Sequence, residues 1–76
     1  MNSNGFPSRE TVERVRKMYP IGCRVELISM DDSYSSLTPG TRGTVRSVDD
    51  TGTVFVRWDN GSGLGVVYGV DRIRKL

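Results

Sequence analysis

Between Pro39 and Gly61, apolar and polar residues alternate with a period of two, and turn residues interrupt the alternation every few positions. Gly40-Thr41-Arg42-Gly43-Thr44-Val45 is answered by Val54-Phe55-Val56-Arg57-Trp58, with Asp49-Asp50-Thr51-Gly52 between them and Asp59-Asn60-Gly61 after them. Period two sends successive side chains to opposite faces of an extended strand, so each strand has one apolar face and one polar face. Short strands with tight turns hide such faces most simply by closing into a small antiparallel barrel. At 76 residues the chain is one domain. A domain this small buries only about 60% of its unfolded surface, so no deep internal pocket is expected.

The rest of the chain extends the pattern. Residues 1–6 are small and polar, ending at Phe6, and read as a tail before a domain at 7–76. Ser8 is an N-cap candidate, with Glu10 in the first turn where the helix dipole favours an anion. Phe6 is placed to staple back onto the helix start. The spacing predicts a helical segment over 8–19, with Val12, Val15, Met18 and Tyr19 along one stripe. Glu10/Arg14 and Glu13/Lys17 stand at i,i+4 on the other faces, and Pro20 ends the helix. Three turns do not hold alone in water, so this helix must pack on the barrel.

Five strands are expected, at about 24–30, 43–48, 53–59, 64–68 and 73–76. A long polar loop follows the first, and tight hairpins follow the second and third. Val70-Asp71-Arg72 forms a single helical turn before the last. Val45 and Val48 lie three apart, so both point inward only if a bulge intervenes. Gly63 and Gly65 predict a bend or a close backbone approach. The expected core is Val25, Leu27, Val45, Val54, Val56, Trp58 and Ile73, with Cys23 on the same inward face.

Catalytic chemistry has little to work with. There is no histidine, and Cys23 is the only cysteine. That removes the commonest general base, an intrachain disulfide and the usual zinc ligand sets. The Asp31-Asp32 and Asp49-Asp50 pairs match no calcium-loop spacing and are read as turn caps. Gly61-Ser62-Gly63-Leu64-Gly65 precedes a strand, with no lysine after it, and so is not a phosphate loop. The chain is read as a non-enzyme with no metal, cofactor or small-molecule substrate. Asn2-Ser3-Asn4-Gly5 lacks the basic flank and apolar run of a signal peptide, and the lone thiol suits a reducing compartment. A cytoplasmic location, away from membranes, is expected.

Several motifs point to a known group. Gly40-x-x-Gly43-Thr44-Val45, Val54-x-Val56-x-Trp58-Asp59-Asn60-Gly61 and Val70-Asp71-x-Ile73 resemble the Mind-bomb/HERC-type and Tudor-like SH3-like barrels. More closely, Phe6-Pro7-Ser8, the run from Tyr19 to Leu27 and Met30-Asp31-Asp32 are similar to the short bacterial family known as domain of unknown function 4314. That resemblance covers about residues 6–76. It implies a five-stranded SH3-like barrel with a short helix, and a bacterial host often with mobile-element or phage neighbours. It brings no catalytic residues.

The expected function is therefore binding, in one of two forms. SH3-like barrels bind through the loop after strand one, the hairpin between strands three and four, and the helical turn, here expected on one rim. That rim supplies Asp31, Asp32, Tyr34, Leu37, Asn60 and Tyr68 for a protein or peptide, the preferred reading. Trp58 alternates with Val54 and Val56 and is assigned to the core, which argues against an aromatic methyl-lysine cage. The alternative is nucleic acid. Eleven Lys and Arg against nine Asp and Glu leave a charge of only +2, but nine of those cations are arginine, many beside strands. Arg46, Phe55 and Arg57 would form a stacking and phosphate platform, extended by Arg72, Arg74 and Lys75, unless the helix covers Phe55. An accessory or structural role in a mobile element is the third possibility.

Overall fold

The computed structural model describes residues 7–31 and 37–76. Phe6 of the expected staple, and Asp32 and Tyr34 of the expected rim, lie outside them. The chain is mainly β: helix α1 (Arg9–Met18) is followed by β1 (Arg24–Ser29), β2 (Arg42–Val48), β3 (Val54–Trp58), β4 (Gly65–Val66) and β5 (Arg72–Lys75). The strands form one antiparallel sheet in the order β4-β3-β2-β1-β5.

The expected closed barrel is corrected to an open sheet. β4 and β5 are its two edges, and no ladder joins them among the described residues. β4 spans two residues where five were expected. Gly63 and Gly65 leave little side chain to support a longer strand. The turn after it is a single helical coil two residues earlier than predicted, with the N–H groups of Val70 and Asp71 both donating to Val67 O at 3.1 and 2.9 Å.

Helix α1 starts and stops where local chemistry dictates. Ser8 is extended, and its Oγ accepts from Thr11 N at 3.1 Å. Tyr19 closes the last turn by donating its N–H to Val15 O, and Pro20 prevents continuation. Val12 and Val15 are buried, whereas Met18 faces outward from the stripe. The helix is held at its side by Arg16, which donates to Val48 O and to Asp50 Oδ1, the latter at 2.9 Å.

The core contains Val25, Leu27, Val45, Val54, Val56 and Trp58 as expected, joined by Val15, Val66 and Leu37. Ile73 is only partly buried at the sheet edge. Cys23, expected to be buried, is likewise half-buried against the core. The anticipated bulge is present between Val45 and Ser47, and Val48 turns back toward the core beyond it. Asp49 caps the β2–β3 turn as expected: its Oδ1 accepts from the N–H groups of Thr51 and Thr53 and from Thr51 Oγ1. Gly52 supplies the left-handed residue at φ +84°.

Two strands approach unusually closely at Gly43, which pairs with Trp58. A Cβ there would stand 2.5 Å from Val56 Cγ1 and 2.7 Å from Arg57 O, the second a backbone atom that cannot yield cheaply. Gly43→Ala is therefore expected to destabilise the domain by about 1–3 kcal/mol, the usual range for overpacking. A urea denaturation midpoint equal to that of the parent would contradict this packing.

Candidate functional site

The alternation of β1, β2 and β3 gives the sheet two faces of different chemistry. Inward residues meet α1 only over part of their extent, because the ten-residue helix is short and turns Met18 outward. What it leaves uncovered is a groove of about 510 Å3. One wall is the C-terminal half of α1, with Val15, Met18 and Tyr19; the other is Tyr68, Gly69 and Val70 of the turn after β4. Val54 and Val66 form the floor, and Ile28, Arg72 and Ile73 line the remaining side. Met18 (43%), Ile28 (41%), Tyr68 (47%) and Val70 (52%) leave much of their apolar surface open.

Two polar groups set the groove's shape. The Tyr19 hydroxyl donates to Ile73 O at 3.4 Å, and burial pushes its phenol pKa up, so it stays a neutral donor. Asp71 accepts the N–H of Asp31 at Oδ1 (2.8 Å) and that of Val67 at Oδ2 (2.9 Å). One carboxylate thus ties the start of the long loop to the turn that carries Tyr68. Both of its oxygens are engaged, so the one acidic side chain in the lining is committed to holding the wall. Arg72 beside it has no partner among the described residues.

The outer face is polar and mostly arginine. Arg24 grips Asp59 through two bonds of 2.8 and 2.6 Å, and Glu26 is shared by Arg42 and Arg74 at 3.4 and 3.1 Å. Asp59's carboxyl is held below its usual range, first by the hydrogen bond from Arg24. Arg46 stands in the β2 bulge and Arg57 opposite Thr44, both exposed. Phe55 shares their face, 39% exposed, with ring carbons against Gly65. The helix does not cover it, since α1 packs on the inward face.

Of the expected rim, the structure brings together only Asp31 and Tyr68, through Asp71. Leu37 is corrected to the core, at 7% exposure, and is not a docking residue. Asn60 is also corrected: it follows Trp58, whereas Tyr68 follows Val66, which pairs with Val54 at the opposite end of β3. Its Oδ1 is used locally by Ser62 N. The turn beside Tyr68 is that of β2–β3, where Gly52 approaches Tyr68 Cβ. The arginine set also divides. Arg46, Phe55 and Arg57 share the outer face with Arg74, which Glu26 holds. Arg72 lines the groove, and Lys75 pairs with Val25 on the inward side of β5. Asp71 was missed as a positioning residue. Its only sequence signal is its place between the turn and the last strand.

Residues 8–76 match the family described as Domain of unknown function (DUF4314). The chain belongs to this family. No curated protein matches it. The DUF4314 match runs from the Ser8 cap through β5, so it takes in both the groove and the outer face. Among the described residues of this DUF4314 member, no three His, Cys, Asp or Glu side chains gather as a metal site. No helix there is long and apolar enough to cross a membrane.

Two outcomes test the polar framework. Asp71→Ala frees two backbone N–H groups and is expected to destabilise the domain by about 2 kcal/mol or more, with Asp71→Asn intermediate because an amide offers one acceptor oxygen. Hydrogen exchange should accelerate at both the Asp31 and Val67 amides in Asp71→Ala and at one of them in Asp71→Asn; unchanged protection in Asp71→Ala would contradict the clamp. Asp49's carboxyl is held below its usual range, chiefly by the Thr51 hydroxyl. A depressed folded pKa stabilises above the unfolded value of about 3.9 and is lost as pH falls through the folded one. Asp49→Ala should therefore show a shallower loss of stability on acidification below about pH 4 than the parent does.

Proposed function

We propose that this chain is a non-enzymatic protein-binding module whose groove between α1 and the turn after β4 takes an apolar, acidic segment of a partner. The observation that carries the reading is the open apolar wall formed by Met18, Ile28, Tyr68 and Val70. Contiguous exposed apolar surface around a concavity is the usual mark of a docking site, unlike single apolar residues scattered over a surface. A cleft of this size suits a few side chains of a peptide, which fits a domain too small for an internal cavity.

Charge selects the kind of peptide. Asp71 places both oxygens on backbone N–H groups, while Arg72 has no partner among the described residues. Arg14 lies one helical turn before Met18 and likewise has no partner among the described residues. The groove therefore offers apolar walls with cations on its rim, complementary to aliphatic or aromatic anchors beside Asp or Glu. The absence of histidine, the commonest general base, supports a binding role over a catalytic one. The strand order suits an open SH3-like arrangement. A bacterial cytoplasmic setting near mobile elements accompanies the family likeness.

The test is selection of peptides from a random displayed library on the immobilised full chain, followed by 15N shift mapping with the enriched sequences. Acidic peptides with apolar anchors are expected, perturbing Met18, Ile28, Tyr68 and Val70. Val70→Glu, at an exposed position, should weaken binding about tenfold or more by repelling the acidic peptide. Enrichment of basic or polyproline sequences, or shifts that avoid the groove, would overturn the reading. So would a library that enriches nothing.

A further inference from the structure

A second surface, independent of the groove, stands on the opposite face of the sheet. Its acids are already taken: Asp59 is bound by Arg24, and Glu26 is divided between Arg42 and Arg74. Arg46 and Arg57 have no hydrogen-bond or ion-pair partner among the described residues. They share that face with Phe55, the one exposed aromatic of the sheet.

The arrangement follows from backbone geometry. Phe55 and Arg57 are two apart on β3 and so share a face. Ser47 stands opposite Phe55, and the bulge between Val45 and Ser47 brings Arg46 to the same face. On the far side of Phe55 the partner is Gly65. The ring packs on this glycine, where a Cβ would stand 3.2 Å from two ring carbons, and stays 39% exposed. A solvated strand position is served by Thr or Lys; here a partly exposed ring shares the face with two guanidiniums that have no partner among the described residues.

We infer that Arg46, Phe55 and Arg57 form a binding site for single-stranded nucleic acid, one base stacking on Phe55 and the phosphates on either side meeting the two arginines. An unpaired base presents the π-face that an aromatic platform recognises, and stacking of this kind tolerates any sequence. A duplex keeps its bases stacked inside, and this flat face has no helix or ribbon to enter a groove. An anionic membrane would call for an apolar insertion surface, whereas Phe55 is paired with Ser47 and Gly65 and followed on its face by Arg57. Glu26 offsets only one of Arg42 and Arg74, so a further positive charge stands along the same face and extends the path for a backbone.

The experiment is fluorescence anisotropy with labelled oligo(dT) at low salt, on the full chain and on variants whose folding is checked by thermal melting. Arg46→Gln/Arg57→Gln is expected to weaken binding about tenfold or more and to reduce the salt slope by about 1.4, at about 0.7 per phosphate contact on a single strand. Phe55→Leu, which keeps apolar cover on Gly65, should lose about fivefold or more with the salt slope unchanged. The uncharged variant Val70→Ser, on the opposite face, should leave oligo(dT) affinity as it is. Shift mapping of the parent chain gives a variant-free readout, with Arg46, Phe55 and Arg57 amides expected to move. The inference is overturned by no binding, by affinity indifferent to the arginine pair or to the phenyl ring, or by preference for phosphatidylserine vesicles over oligo(dT).

Discussion

The contact on which the rest of the sheet depends is that between Gly43 on β2 and Trp58 on β3. With no side chain at position 43, the strands come close enough for Val56 and the β3 backbone to fill the space. Trp58 is then fully enclosed, and its indole N–H finds Leu64 O at 3.0 Å. That bond satisfies the only polar atom of the largest core side chain. It also fixes the loop that returns β4 to β3, where Val66 pairs with Val54. A 76-residue chain has few such anchors, so one glycine sets the register, the indole's position and the start of β4 together.

The open edge of the sheet explains the remaining architecture. A two-residue β4 cannot reach β5, and the apolar inner face would be left to water without α1. The helix covers it with Val12 and Val15 and is locked by Arg16 to Val48 O and Asp50. Asp71 secures the other side by joining the Asp31 and Val67 amides. Between these two clamps the cover stops short, and the groove is the uncovered remainder. The same shortfall that prevents barrel closure creates the surface proposed to bind.

Much of this was legible in the sequence because its causes are local. The Ser8 cap, the stop at Pro20, the inward set of β3, the bulge after Val45 and the close approach at Gly65 each follow from a few adjacent residues. The misplacements share a different cause. Leu37 sits among Ser, Thr and Pro, so no periodicity marks it, yet the loop folds it against the core. Asn60 was grouped with Tyr68 by an analogy of loops, whereas β3 places them at opposite ends of one strand. Asp71 works through an amide forty residues away, a relation no local pattern expresses. Closure failed for the same reason, since the meeting of two edges depends on the length of both.

Charge shows the same gap between composition and structure. A net charge of +2 describes a nearly balanced chain. Folding does not spend the two signs equally. Glu26, Asp50 and Asp59 are held by arginines, and Asp49 and Asp71 by backbone N–H groups. Among the described residues this leaves Glu10, Glu13 and the Asp31 side chain as free anions. Arg9, Arg14, Lys17, Arg46, Arg57, Arg72 and Lys75 remain as free cations. A capping carboxylate keeps its full charge, so what the fold decides is where the charges stand: Asp49 stays at the β2–β3 turn, and Asp71 stays beside Arg72 in the groove. On the outer face, among the described residues, Arg24, Arg42, Arg46, Arg57 and Arg74 meet only Glu26 and Asp59. That face therefore carries an excess of positive charge on a chain of net charge +2, and it favours an anionic partner.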